Sequence, residues 1–101
     1  MTGGRTTFAQ LLAAAGWLFG ATPEIIVSEA RSPRLSRARF AAAYAALHGG
    51  ERTQAHIARA MNRDEATVRY WIAEATKLRL DDPVFREKSD RLVHLARRRV
   101  S

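Results

Sequence analysis

Residues 53–72 read TQAHIARAMNRDEATVRYWI, and their spacing decides the fold. Ile57 and Met61 stand four apart, on one face of a helix, and Ala58 beside them is small enough to let a second helix approach closely. Asn62 falls where a tight turn needs left-handed backbone, which glycine adopts most readily and asparagine next. Val68, Trp71 and Ile72 then recur at i, i+3 and i+4 and anchor a second helix that Asp64 opens as N-cap. The stretch 53–80 is therefore expected to be a helix-turn-helix, with one helix from about Thr53 to Met61 and the next from about Asp64 to Leu80.

An anchored helix has an outward side. Here the candidates for it are Arg63, Glu65, Ala66, Thr67, Arg69 and Tyr70, with Asp64 at the tip. Several have a purely structural use as well. Asp64 satisfies free amides of the first turn, Glu65 suits the positive end of the helix dipole, and Thr67 suits a cap partner. Arg69 and Tyr70 have no such use on a solvent face, so contact with a ligand is the better account of both. Arg63, just before the helix, is placed to meet a phosphate, and Trp71 is core.

Towards the N-terminus, residues 30–37 (ARSPRLSR) read as a basic connection broken by Pro33, with Arg31 and Arg34 within reach of a phosphate backbone or a narrow minor groove. A helix follows, with Phe40, Ala43, Tyr44 and Leu47 on one face and Gly49-Gly50 as its end. Arg37 and Arg39 lie near its start, where the dipole prefers acids, which points to an anion outside. Earlier still, Thr7 caps a helix with Phe8, Leu11, Leu12, Ala15, Leu18 and Phe19 at helical spacing, stopped by Gly20. Thr22-Pro23-Glu24 opens a short one that buries Ile25, Ile26 and Val27. Asp82-Pro83 starts a last helix with Phe85, Ser89, Leu92 and Ala96 along one face, and residues 97–101 form a frayed tail. The expected architecture is all-α: one domain over residues 1–101 with about six short helices.

Composition narrows the function. Of 17 basic residues 15 are arginine, and the net charge is +7. Residues 30–80 carry nine arginines and one lysine against four acids, whereas residues 1–29 are slightly acidic. A GC-rich genome explains arginine over lysine but not this clustering; the planar guanidinium fork suits phosphates and guanine edges. Without cysteine, neither a disulfide framework nor a thiolate zinc site is available, and His48, His56 and His94 form no ligand pattern. No nucleophile sits in a recognisable motif and no glycine-rich phosphate loop is present, so neither catalysis, a cofactor nor a small-molecule substrate is expected. The apolar run from Phe8 to Phe19 is too short to span a bilayer and lacks the features of a secretory signal. A cytoplasmic, nucleoid-associated protein is the expectation.

The order of these parts resembles the C-terminal DNA-binding domain of the bacterial replication initiator DnaA, over about residues 17–97. The resemblance rests on FGATPEIIVSEARSPRLSRARFAAAYAAL, then NRDEATVRYWIAEATKL, then DDPVFREKSDRLVHLAR. The family signature GRDHTTVLHA is echoed by NRDEATVRYW, Asn62 to Trp71. The resemblance implies a basic loop in the minor groove, with Arg31 at the family's minor-groove arginine, and a helix-turn-helix reading the major groove. Asp64 matches the signature aspartate, while Glu65, Ala66 and Tyr70 replace family base readers, so a different DNA sequence is implied. The chain has no counterpart of the initiator's ATPase module. It is similar instead to small DnaA-like regulators, activators of prophage-like and gene-transfer-agent clusters.

The resulting expectation is a sequence-specific double-stranded DNA-binding transcription regulator, an activator by the resemblance. Its partners are DNA and, by the same resemblance, RNA polymerase or another DNA-binding protein. One small domain offers limited specificity, so a homodimer on DNA or adjacent sites enter the expectation too. Two alternatives stay open: a replication accessory competing for initiator boxes, and an adaptor whose helices contact only protein. A partner surface, if the N-terminal apolar segment supplies one, centres on Trp17; packing on the core is its other use.

Overall fold

The computed structural model describes residues 6–98 and contains six helices: α1 (Phe8–Phe19), α2 (Pro23–Val27), α3 (Pro33–His48), α4 (Gln54–Ala60), α5 (Glu65–Asp81) and α6 (Pro83–Arg97). No strand occurs among the described residues, as the all-α expectation required. Every start is capped by a side-chain oxygen that accepts from a first-turn amide, from Thr7, Thr22, Ser32, Thr53, Asp64 and Asp82 in turn. Three of the helices place proline at the first turn, where its missing N–H costs nothing.

The centre of the molecule is α3, which packs against each of the other five helices. Apart from Leu35 and Arg39, its buried positions are alanines, at 38, 41, 42, 43, 45 and 46, and their small size lets the neighbours approach closely. The expected face of Phe40, Ala43, Tyr44 and Leu47 does pack on the core, at unequal depths. Only Ala43 is deep, while the three larger side chains lie half-buried at the margin, because a helix surrounded by others has little room for bulk. The bulk comes from around it, from Leu11, Ile26, Ile57, Met61, Val68, Phe85 and Leu92. Each such side chain contributes about 1.5–3 kcal/mol by leaving water.

Other expectations need correction. Of Ile25, Ile26 and Val27 only Ile26 is fully buried and Ile25 is 44 % exposed, since one helical turn offers a single inward position. Gly49 ends α3 with ordinary right-handed backbone, and its missing side chain matters for space. A Cβ there would stand 2.6 Å from the Val93 carbonyl oxygen on α6. The left-handed residue near this end is Glu51, at φ 57°.

The basic connection 30–37 is also shorter than expected. Ser32 caps and Pro33 begins α3, so Arg34 and Arg37 are helical and the loop is residues 28–32. Arg97 closes α6, Arg98 follows it, and the rest of the expected tail, 99–101, lies outside the described residues. No helix among the described residues is long and apolar enough to cross a membrane.

Candidate nucleic-acid interface

The turn between α4 and α5 takes its shape from backbone hydrogen bonds. The Arg63 amide donates to the Ala58 carbonyl (2.8 Å) and the Asn62 amide to that of Arg59 (3.2 Å). This pair of bonds closes a helix whose next residue is left-handed, and Asn62 is that residue, at φ 57°. Asp64 then caps α5 by accepting from the Thr67 amide at 2.8 Å. Hydrogen bonding from Thr67, its side chain first and then its amide, holds the Asp64 carboxyl below its ordinary pKa, and the charge of Arg69 adds to this.

Inward from α5 point Val68, Trp71, Ile72 and Ala75, a spacing of i, i+3, i+4 and i+7. The same periodicity turns Glu65, Ala66, Arg69 and Tyr70 outward, and all four are exposed. Arg69 donates to Gln54 Oε1 on α4 at 3.2 Å, which extends it across the α4–α5 face. Tyr70 is 57 % exposed and meets the Phe40 ring edge-on, with centroids 6.2 Å apart and planes at 84°. That contact holds the ring on the Phe40 side while more than half of the residue stays exposed.

Beside this face runs a groove between α5 and the loop 28–32 with the start of α3. Arg31, Ser36 and Phe40 line one wall and Thr67, Tyr70 and Trp71 the other, with Glu29 at the rim and Arg39 and Arg63 also in the lining. Arg31 is exposed and makes no hydrogen bond or ion pair with a described residue. Arg39 and Arg63 stand differently.

Arg39 is only 5 % exposed. Its Nε donates to the Ile26 carbonyl at 2.8 Å and its Nη2 to those of Ser28 (2.9 Å) and Ile25 (3.2 Å). Arg63 donates to the carbonyls of Val27 and Ser28 and lies 5.5 Å from the centroid of the Trp71 ring. Both guanidiniums close the C-terminal end of α2, whose last carbonyls carry partial negative charge. The expected outside anion for Arg39 and the expected phosphate for Arg63 are therefore replaced, in the structure, by backbone oxygens of the chain itself. Burial first, then the charges of Arg63 and Arg31, lower the pKa of Arg39. Three cations thus crowd one end of the groove.

No protein-family model matches the chain, and no curated protein matches it. The site is therefore read from its own chemistry.

Arg34 and Arg37 are not brought into this groove. Arg34 donates to the Gly20 carbonyl at 3.2 Å and Arg37 pairs with Asp82 at 3.7 Å, both beside the α1–α6 side of α3. The expected site set thus divides. Arg31, Thr67 and Tyr70 share the groove, and Asp64, Glu65, Ala66 and Arg69 continue the exposed surface of α5. Arg39 and Arg63 brace it from below, and Arg34 and Arg37 lie elsewhere. Sequence reasoning missed Ser36 and Phe40 in the groove wall. With a helix starting at Pro33, Ser32, Ser36 and Phe40 fall at i, i+4 and i+8 on one face, which is the signal that was there to find. Arg59, exposed on α4 with no side-chain partner among the described residues, is not in the groove lining. Among the described residues no three His, Asp or Glu side chains gather as metal ligands would.

Proposed function

We propose that the chain is a sequence-specific double-stranded DNA-binding protein that regulates transcription, with α4 and α5 acting as a helix-turn-helix. The observation that carries this reading is the exposure of Arg31 and Tyr70 in one groove, with Arg69 exposed on the adjoining outward surface of α5. In this reading α5 enters the major groove by its N-terminal half. Arg69 offers a forked donor to a guanine edge or phosphate, Tyr70 a hydroxyl, and Glu65 an acceptor for a cytosine amino group. Ala66 leaves room for a thymine methyl, and the loop brings Arg31 to the adjacent minor groove or backbone. The internal bonds of Arg39 and Arg63 support it by fixing the loop against α5, so that both contacts are spaced before binding.

The resemblance to the DnaA DNA-binding domain adds the direction of the proposal: a DnaA-like regulator, acting as an activator of a prophage-like or gene-transfer-agent cluster. Genome-wide immunoprecipitation of the tagged protein tests it, beside a variant carrying Arg69→Ala and Tyr70→Ala. Sharp promoter-proximal peaks absent from the variant are the expected result. Peaks over initiator boxes at the origin would move the reading to replication, and no variant-sensitive enrichment would leave the α4–α5 face to a protein partner.

A further inference from the structure

The side of the molecule where Arg34 and Arg37 lie has a second character, independent of the α5 face. There α1 and α6 run antiparallel along one seam: Thr6, just before α1, donates to the Leu95 carbonyl at 2.7 Å, and at the other end Phe19 meets Phe85 with ring centroids 6.0 Å apart. Residues Phe8–Phe19 contain no charged side chain, and Trp17 is 81 % exposed. Trp17 and Leu18 line a groove with Leu95 and Arg91 of α6, and a second groove on the same seam passes Lys88 and Val84, which is 61 % exposed.

The rim of the seam is cationic. Lys88 stands 5.0 Å from the Phe19 ring, Arg34 makes its one hydrogen bond to a carbonyl, and neither has a carboxylate partner among the described residues. Asp82 does not offset them. One of its oxygens accepts from the Val84 and Phe85 amides and the other faces Arg37. Arg91 pairs with Glu87 at 3.3 Å in the open, an exchangeable contact of little energy.

We infer that the α1–α6 seam, with Trp17, Leu18 and Leu95 as its apolar floor and Arg34, Lys88 and Arg91 at its rim, docks an acidic amphipathic helix of a partner protein. Tryptophan is among the residue types enriched where interfaces hold most of their binding energy. The floor has no use for a phosphate backbone. A second copy of the chain would bring the same cations to the rim, so like charges oppose self-pairing. Helix α1 has 12 residues, so at 1.5 Å each the seam extends for about 18 Å, the length of about three turns of a partner helix.

Fluorescence anisotropy of a labelled synthetic peptide tests this, with leucine and phenylalanine at i, i+3, i+4 and i+7 and glutamate at the remaining positions. The full chain is expected to bind it saturably. Trp17→Ala is expected to weaken binding about thirtyfold. The pair Arg34→Gln and Lys88→Gln is expected to weaken it severalfold, with circular dichroism unchanged in each variant and binding to duplex DNA unchanged in Trp17→Ala, which alters no charge. The proposal is overturned by any of four results: no saturable binding, equal binding of the peptide with lysine in place of glutamate, variants that bind as the parent does, or a seam that responds to duplex DNA or anionic vesicles instead. Concentration-dependent dimerisation abolished by Trp17→Ala would also overturn it, in favour of a second copy. The duplex measurements keep the outcome separate from that of the α5 face.

Discussion

Arg39 of α3 and Arg63 before α5 both donate to the carbonyl oxygen of Ser28, so one oxygen ties three parts of the chain together. The loop 28–32 thereby has its position set from both sides. A cation used in this way is worth more to the fold than an exposed one. Removing it leaves several carbonyls without donors in a place water reaches poorly.

Arg39→Ala is accordingly expected to destabilise the protein by about 2–4 kcal/mol, since three hydrogen bonds from a buried charged donor go at once. For a domain of this size that lowers the melting temperature by about 10 °C or more. Arg63→Ala, at a half-buried site, is expected to cost about 1–2 kcal/mol. Arg39→Lys does not rescue, because an ammonium cannot reproduce the fork that spans the Ile26 and Ser28 carbonyls. Thermal unfolding followed by circular dichroism checks all three. A melting point unmoved by Arg39→Ala would remove the bracing role argued for it.

Two left-handed residues give a prediction of opposite signs. Asn62 and Glu51 both sit at φ 57°. Asn62→Ala is expected to destabilise by about 1 kcal/mol, because alanine lacks the local hydrogen bonding that makes asparagine tolerable there. Glu51→Gly is expected to stabilise by up to about 1 kcal/mol, since the Cβ strain is removed. Urea unfolding midpoints of the two variants decide it, and loss of stability in Glu51→Gly would contradict the strain argument.

These two residues also show what the sequence makes legible. Asn62 announces itself because it interrupts two helical periods within a single short stretch, so turn and conformation are read together. Glu51 carries no such signal. It follows Gly49-Gly50, which look sufficient to end a helix, and only the close approach of α6 at Val93 shows that Gly49 serves space instead. Most helix starts were legible, since Thr7, Thr22, Asp64 and Asp82 act through neighbours three residues away at most. Ser32 acts just as locally, yet Pro33 reads equally well as a break in a basic loop and as the first residue of a helix. The helical choice moves Arg34 and Arg37 off the loop. The fate of Arg39 and Arg63 was not legible at all. Their partners lie 11 to 14 and 35 to 36 residues away, in the carbonyls of α2, and nothing local distinguishes a buried arginine from one awaiting a phosphate.

The α5 cap is expected to make stability respond to acid. Hydrogen bonding from Thr67 depresses the pKa of Asp64 in the folded state relative to the unfolded chain. A depressed carboxyl contributes stability that is fully present above its unfolded pKa, about 4, and is lost as pH falls through the lower folded value. Asp64→Asn keeps a capping oxygen but cannot titrate. Its deficit against the parent should therefore be constant at neutral pH and shrink below about pH 4. Denaturant midpoints measured from neutral pH down to about pH 3 check this. A deficit independent of pH over that range would mean that the carboxylate charge contributes nothing to the cap.

Under the proposed function, the division of the arginines predicts how DNA binding fails when each is removed. Arg69→Ala and Tyr70→Ala, on the outward side of α5, are each expected to weaken binding to the preferred sequence by about 1–3 kcal/mol, roughly five- to over a hundredfold. Binding to unrelated duplex at low salt should stay nearly the same. Arg31→Ala is expected to weaken both, and to lower the slope of log affinity against log salt by about one, the release of a single counterion. Arg34→Ala and Arg37→Ala should leave affinity and slope unchanged, because their guanidiniums lie beside Gly20 and Asp82, off the groove. Binding isotherms at several salt concentrations, on the motif recovered by immunoprecipitation and on a scrambled duplex, separate these cases. A slope that falls as much for Arg34→Ala as for Arg31→Ala would mean that the bound surface extends around α3. The groove beside Tyr70 would then be only part of it.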